Sequence, residues 1–544
     1  MHESLIVAEF ANAGYQISPG AVALIDSCPS PDNVVKQVLQ SLDDSVLVVD
    51  KQHIMLDYGG NGDGNGGNSD GGNGDGATTK AASAIERKQS KKSPAKTSRI
   101  QPPVAPELPG VNILCDISNE STCVGEYSEF VRYFRDRYAR LSGIIRTRIT
   151  ARPIESLRSE RLREYGDISI IGMVHDIRTT VNGNKMIKLE DPTGMFSVLV
   201  RPVDHDPWEI ASRIIRDEVI GVTGSLIGDG KLMIASDLVM PDIPNQHNQR
   251  LPGSWTGNRN GNGNGTGAGG KRDNNHDQAI LISDVHIGSN TFLEEAFCEF
   301  IDWLGDGDID SNINANNHEN RADAGQVRYL IIAGDLVDGV GIYPGQEEEL
   351  EIADVYDQYR CAAKYLRAVP KNIRIIIAPG NHDAVRLAEP QPALPENIRS
   401  MFRDNTVFTG NPALIEIKGV RILIYHGRSM DDLIATIPNM SYQRPAEVMV
   451  EMLRRRHIAP TYGGRVSIAP EITDHFVIDR IPHILHCGHV HTIGVDRYKG
   501  VTVINAGTWQ SQTEFQKRVN LEPVPAHAAI VDLTTLGTRM VRFA

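Results

Sequence analysis

The C-terminal half of the chain repeats one pattern five times: an apolar run that ends on a short polar cluster. Ala279 to Ile282 leads into Ser283-Asp284-Val285-His286, and Tyr329 to Ala333 into Gly334-Asp335-Leu336-Val337-Asp338. Ile373 through Ala378 is followed by Gly380-Asn381-His382-Asp383, Val420 through Ile424 by Tyr425-His426-Gly427, and Ile484-Leu485 by Gly488-His489-Val490-His491. Apolar runs of this length, bounded by turn residues, predict strands buried on both faces. Side chains needed for chemistry then collect where the strands end, at the carboxyl edge of a sheet. The expected fold class is α/β.

Upstream the pattern changes. Ile168 to Val174, Lys185 to Asp191 with the turn Pro192-Thr193-Gly194, Met195 to Val200, a helix around Trp208 to Ile215, then Glu218 to Ile227 and Lys231 to Val239 read as three strands, a helix and two strands. That is the order of an OB-fold β-barrel. Tyr127 to Arg148 reads as one helix, and the spacing of Val35, Val38, Leu39 and Leu42 suits short amphipathic helices within Met1 to Asp50. Low-complexity stretches punctuate these elements: Gly59 to about Thr79 followed by a Lys/Ser/Pro stretch to Pro106, then Asn245 to Gln278, and Gly305 to Gly325. Such compositions bury too little apolar surface to offset the entropy of ordering. The expected organisation is a small helical module (1–55), a disordered linker (56–110), a helical connector (111–160), the OB-fold (161–243), a flexible linker (244–278) and an α/β domain (279–544) carrying a surface insertion (305–326).

Charge and cysteines narrow the class. A net charge of −14 argues against a protein that coats nucleic acid by bulk attraction, so contact with DNA has to rest on local basic spots, on bound metals or on a partner. The basic run Lys80 to Arg99 is read as solvated linker before DNA contact. In the barrel only Phe196 and Trp208 stand out as aromatics, and Phe196 is expected to pack inward; a packing platform is preferred over base stacking. The six cysteines show no CxxC, which suggests reduced thiols and a cytoplasmic setting. Met1-His2-Glu3-Ser4 lacks a basic n-region and no run reaches ~18 apolar residues, so neither secretion nor a membrane span is expected.

Asp, His and Asn at strand ends are metal-ligand types. In Asp284-x-His286 and His489-x-His491, ligands two apart on an extended backbone point to the same side. Asp335, Asn381 and His426 bring the set to seven. A single zinc site usually needs about four, so the set fits two ions that share Asp335, the arrangement used for in-line displacement at phosphate esters. Each motif alone has a plainer reading: Asp-x-His as a surface loop, Gly380-Asn381 as a chain reversal, His489-x-His491 as chance in a chain of 17 histidines. It is their order, each after its own strand, that carries the inference. His475, His483 and His486 are read as ordinary helix or loop histidines, and Cys487 as a small buried filler.

The order D-x-H, GD-x-x-D, GNHD, HG, GH-x-H resembles the calcineurin-like metallophosphoesterases. Asp284 to Ser289, Gly334 to Gly339 with Tyr343-Pro344-Gly345-Gln346, Tyr425 to Ser429 with Asp431-Asp432, and Asn505-Ala506-Gly507-Thr508-Trp509-Gln510 with Gln512-Thr513 are similar to the small subunits of archaeal family-D replicative DNA polymerases. The likeness is tight over the C-terminal half and one of architecture upstream. It implies a metallophosphoesterase sandwich at 279–544 with 3′–5′ exonuclease activity on single-stranded or mispaired 3′ ends. Asp284, His286, Asp335 and His491 would hold one ion, and Asp335, Asn381, His426 and His489 the other. Mn²⁺ is the first choice, with Mg²⁺, Zn²⁺ or Fe²⁺ as alternatives. His382, adjacent to ligand Asn381 and facing substrate, would be oriented by Asp338 and assist the leaving 3′-oxygen. Expected partners are a large subunit carrying the synthesis site (a heterodimer or heterotetramer), DNA and a sliding clamp. A standalone phosphatase or repair nuclease, and a non-catalytic scaffold that keeps the fold but loses ligands, are the competing readings.

Overall fold

The computed structural model describes residues 3–13, 16–28, 30–41, 48–49, 54, 110–158, 166–227, 230–245, 277–305, 324–518 and 520–543. The linker expected over 56–110 (up to residue 109), most of the second linker, the body of the insertion and the basic run Lys80 to Arg99 lie outside the described residues.

At the N-terminus the helices Glu3–Asn12, Pro19–Asp26 and Pro31–Ser41 accompany two short parallel strands, β1 (Gln16–Ile17) and β2 (Val48–Val49). Ser18 caps the second helix, its side chain accepting the Ala21 N–H ahead of Pro19 in the first helical turn. Ile6, Phe10, Ala21 and Ile25 are buried, as are Val35 and Val38 of the expected stripe; Leu39 is half-buried and Leu42 lies outside the described residues.

The 111–160 connector is only partly helical. β3 (Asn112–Cys115) adds as an antiparallel edge strand to a sheet of the C-terminal domain, because its backbone groups find their hydrogen-bond partners there. The helix Tyr127–Arg146 follows; Glu126 and Glu129 form a capping box at its start. The barrel then closes from β4 (Ile168–Thr179), β5 (Lys185–Asp191), β6 (Gly194–Val200), β7 (Val219–Ile227) and β8 (Leu232–Val239), in the order β4-β5-β6-β8-β7. The inserted helix is His205–Ala211, earlier than the hydrophobic spacing suggests, since Pro207 is tolerated within the first turn. Phe196 and Trp208 both pack against the barrel core.

Two six-stranded sheets make up the C-terminal domain. The first contains β9 (Gln278–Ile282), β10 (Val327–Ala333), β11 (Arg374–Ala378) and β12 (Thr406–Phe408) in parallel. The second is built around β13 (Ala413–Ile417), β14 (Val420–Ile424), β15 (Ile484–Cys487), β16 (Ile493–Tyr498) and β17 (Val501–Ala506), with β3 at its edge. β18 (His527–Asp532) and β19 (Thr538–Arg542) return to the first sheet beside β9. Period-two alternation explains the apolar runs: Leu330 and Ile332 face a helical layer with Phe297, Phe300 and Tyr359, whereas Tyr329, Ile331 and Ala333 face the second sheet across Ile415, Ile422, Ile424 and Ile484. Leu423, Leu485 and Val503 on the far side of the second sheet meet Met449 and Leu453 of the helix Pro445–Arg455. The result is a four-layer arrangement, helices–sheet–sheet–helices, in which central strands are covered on both faces.

Helix Tyr127–Arg146 ties barrel to sandwich through a buried polar cluster. Arg137, fully buried, donates to Asp474 Oδ2 at 2.7 Å and to the carbonyls of Pro460 and Asp217. Asp474 also meets His457 Nε2 at 2.8 Å. Burial would raise the Asp474 carboxyl, but His457 and Arg137 hold it well below the usual range, so the ion pair is intact at neutral pH. Removing one partner of such a pair strands a buried charge, at a cost of about 3–5 kcal/mol. Arg137→Leu is therefore expected to lower stability by about that much, read from the urea midpoint by tryptophan fluorescence; an unshifted midpoint would contradict it. The pair Arg137→Leu with Asp474→Leu should recover part of the loss.

Candidate active site

The carboxyl ends of β9, β10 and β11 in one sheet and β14 and β15 in the other converge on a cleft of about 500 Å³ lined by His286, Asp335, Asn381, His382, His489 and His491, among others. Asp284 (φ 52), His286 (φ 55), Asp335 (φ 52), His489 (φ 69) and His491 (φ 58) all have left-handed backbones, so the pairs Asp284/His286 and His489/His491 lie on turns past the strand ends and not on the extended backbone expected from the sequence. Non-glycine residues rarely take that region, and such strain gathers at functional sites. The turns that aim them need glycine. A Cβ on Gly334 (φ +87) would lie 2.3 Å from His426 Nδ1, and one on Gly488 would lie 2.2 Å from Asp284 Oδ2.

The ring nitrogens explain why the cluster suits cations. His426 Nδ1 donates to the Ala333 carbonyl at 3.0 Å; its Nε2, the nitrogen left for a cation, faces Asp335 Oδ2 at 3.2 Å and Asn381 Oδ1 at 3.1 Å. Three potential ligand atoms thus converge. His286 repeats the logic: Nδ1 meets Asp338 Oδ1 at 2.9 Å, while Nε2 faces Asp335 Oδ2 at 3.8 Å and Asp284 Oδ1 at 4.0 Å. His286 Nε2 and His491 Nε2 stand 3.1 Å apart, and His491 Nε2 is 3.4 Å from Asp284 Oδ1. Hydrogen-bonding the far ring nitrogen to fix which atom presents its lone pair is the usual support for a metal-binding histidine. Asp284, His286 and His491, and separately Asp284, Asp335 and His426, bring ligand atoms within 4.8 Å of one another. The residues present fit a divalent ion at each place.

Electrostatics agrees. Burial would raise Asp335, but His426 and His382 hold its carboxyl well below the ordinary range; Asp284 is likewise lowered, by His491 and His426, against its own burial. Burial would lower His426, yet Asp335 and Asp284 bring it up to about 10. Buried anions drawing protons onto neighbouring imidazoles are a site short of positive charge.

Of the expected ligands, His489 stands apart: its Nε2 faces Asp431 Oδ2 at 3.3 Å. His382 also comes within 4.8 Å of His286 and Asp335 in a third group of ligand atoms. Asp338 serves both histidines, with different atoms. Its carboxylate holds His286, and its backbone carbonyl, 2.7 Å from His382 Nδ1, holds His382; the carboxylate is 4.0 Å from that nitrogen. His486, expected in helix or loop, lies on β15, fully buried with Nε2 3.1 Å from the Ile282 carbonyl; burial brings it down to about 4, so it is neutral.

Several supporting residues have roles that the sequence does not assign, although Gln346 and Gln510 lie within the motifs that carry the resemblance. Gln346 and Gln510 donate to the Asp338 carboxylate, Gln516 places its amide nitrogen 2.8 Å from His491 Nδ1, and Asn411 accepts the His426 N–H. Asp383, pushed up to about 6 by burial and by Asp335, accepts the Gly380 N–H and the Tyr359 hydroxyl, which fixes the turn that presents Asn381 and His382.

Comparison with known proteins follows the same residues. The family model that describes the B subunits of DNA polymerases alpha and epsilon matches residues 279–493. The DNA polymerase II small subunit of Archaeoglobus fulgidus is 44% identical, over 77% of this chain and 78% of its own. That of Halobacterium salinarum is 37% identical, over 99% of this chain and 98% of its own. A solved archaeal phosphodiesterase aligns with 48% of this chain and 98% of its own at 13% identity, with a TM-score of 0.24, too slight to build on. The extent and level of identity to the curated relatives establish that this chain belongs to the family of archaeal DNA polymerase II small subunits.

Proposed function

We propose that this chain is the proofreading subunit of a two-subunit archaeal replicative DNA polymerase, a metal-dependent 3′–5′ exonuclease acting on single-stranded or mispaired 3′ ends in the cytoplasm. The observation that carries this reading is the convergence of potential ligand atoms from His426, Asp335 and Asn381, beside the Asp284–His286–His491 cluster, on one open cleft. A scaffold that has lost catalysis has no need to keep such a cluster. Asp284, His286, Asp335 and His491 would hold one divalent ion, and Asp335, Asn381, His426 and His489 the other, with Mn²⁺ the first candidate. Bound there, such ions supply Lewis-acid activation of water and of the phosphodiester.

The protein's own share is orientation. Asp338, clamped by Gln346 and Gln510, keeps the proton of His286 on Nδ1. Asp335 accepts the His382 N–H at 2.8 Å, tying the third strand's turn to the second. With His382 Nδ1 directed at the Asp338 carbonyl, proton transfer to the leaving 3′-oxygen falls to Nε2. Synthesis would belong to a large partner subunit, and a sliding clamp is a further expected partner.

The test is reconstitution. Alone, the chain should bind DNA weakly, as its charge of −14 implies, and should fail to extend a primer. With the large subunit and Mn²⁺ it should trim a mispaired 3′ end before synthesis proceeds. Primer extension by the isolated chain, or absence of any metal-dependent trimming by the pair, would overturn the assignment. No helix among the described residues is long and apolar enough to cross a membrane.

A further inference from the structure

The cleft has an aromatic end that hydrolysis of a phosphodiester does not itself require. Tyr343, in the loop after β10, lies 6.4 Å from His382 between ring centroids and 6.2 Å from Phe515, the latter pair tilted by 31°. Its hydroxyl donates to Glu349 at 2.9 Å, so the ring is held in place before anything binds. Phe515 belongs to the short helix Glu514–Arg518, which is fixed to the site because the next residue, Gln516, touches His491. Phe515 nevertheless remains 57% exposed at the cleft. Arg428 and Arg465 line the same cleft, and Arg465 approaches Asp431, which faces His489. Rings near His382 and guanidiniums toward His489 match a nucleotide, with a flat base at one end and phosphates at the other.

Resting on the exonuclease reading, we propose that Tyr343 and Phe515 form a stacking platform for the unpaired base of the 3′-terminal nucleotide. Stacking needs an exposed π-face and tolerates any base. A base still paired within a duplex must first be unstacked, which costs least at a mismatch. The platform would thus recognise frayed ends by what they expose, with no readout of sequence.

The experiment uses the full chain with its large subunit, Mn²⁺, and labelled oligonucleotides ending either in thymidine or in a tetrahydrofuran abasic residue. Wild type should favour the base-bearing end in kcat/KM by about 5- to 150-fold, the ratio that one stacked base supports. Phe515→Ala should bring that ratio close to one, Phe515→Trp should restore it, and Tyr343→Leu should lower it. An unaltered ratio in Phe515→Ala overturns the platform, as does loss of the large subunit from that variant with the ratio kept, which would make Phe515 a subunit contact. If wild type degrades neither oligonucleotide, the exonuclease reading fails separately. Stacking is then read from quenching of a 3′-terminal 2-aminopurine with metal withheld: quenching lost in Phe515→Ala supports the platform, and no quenching in wild type overturns it.

Discussion

Replacing Asp335 with Asn is expected to abolish exonuclease activity while the chain still folds. Asp335 is 1% exposed and spends each oxygen differently: Oδ1 accepts the His382 N–H at 2.8 Å, while Oδ2 faces His426 at 3.2 Å and His286 at 3.8 Å. In the proposed ligand sets it is the carboxylate common to both ions, its Oδ2 facing one histidine of each. Asn has nearly the same volume and can still accept from His382, so the turn should survive. What disappears is a negative charge held ionised by the histidines around it. Losing one carboxylate common to two sites weakens both at once, and loss of several kcal/mol of charge stabilisation corresponds to about 10³-fold or more in rate. The check is cleavage of a mispaired primer in saturating Mn²⁺, beside circular dichroism and metal content after gel filtration. Activity within about twofold of wild type, well short of one decade in rate, would break the assignment of two ions to this cluster.

That prediction could be framed from sequence because the features behind it are local. A strand covered on both faces has to be apolar throughout, so the polar residue that ends it stands out, as at Ala333-Gly334-Asp335 and Ile424-Tyr425-His426. The barrel was legible for a similar reason: β5 falls on the alternating stretch that predicts it. Residues whose role depends on distant partners could not be read this way. Gln346 and Gln510 approach Asp338 from different loops, and glutamine has no spacing that marks it as a clamp. Arg137 looks like one more arginine on an amphipathic helix until Asp474, 337 positions away, is packed against it. β3 is too short for a periodicity and becomes a strand only because the edge of β13 is there to pair with it. His486 has the composition of its loop-bound neighbours, yet the register of β15 against β14 and β17 places it in the interior. The division of labour at Asp338, carboxylate to one histidine and carbonyl to the other, needs coordinates.

His382→Ala should lower kcat by about 10²–10⁴-fold, the range for loss of a general acid, while both ions stay bound. His382 touches Asp335 through its backbone N–H, which alanine retains, and Asp338 through Nδ1 to a backbone carbonyl, so neither carboxylate loses a hydrogen bond, and His426 and His286 remain to hold them ionised. Burial lowers its pKa, so the imidazole rests largely neutral, and the imidazolium, once formed, gives up its Nε2 proton readily as charge develops on the leaving oxygen. A group acting in that way changes the rate without releasing metal. His489→Ala is the contrast: as a proposed ligand it should lose metal occupancy and regain part of its activity in excess Mn²⁺. Metal analysis after gel filtration and single-turnover cleavage of a 3′-mispaired primer compare the two. Since His382 also comes within 4.8 Å of His286 and Asp335 with its ligand atom, the opposite result is concrete: loss of an ion from His382→Ala would make it a ligand. A substrate whose 3′-leaving group needs no proton separates the remaining roles. Recovery of rate with that substrate identifies His382 as the acid, whereas an undiminished defect identifies it as the residue that stabilises charge on the phosphoryl oxygens.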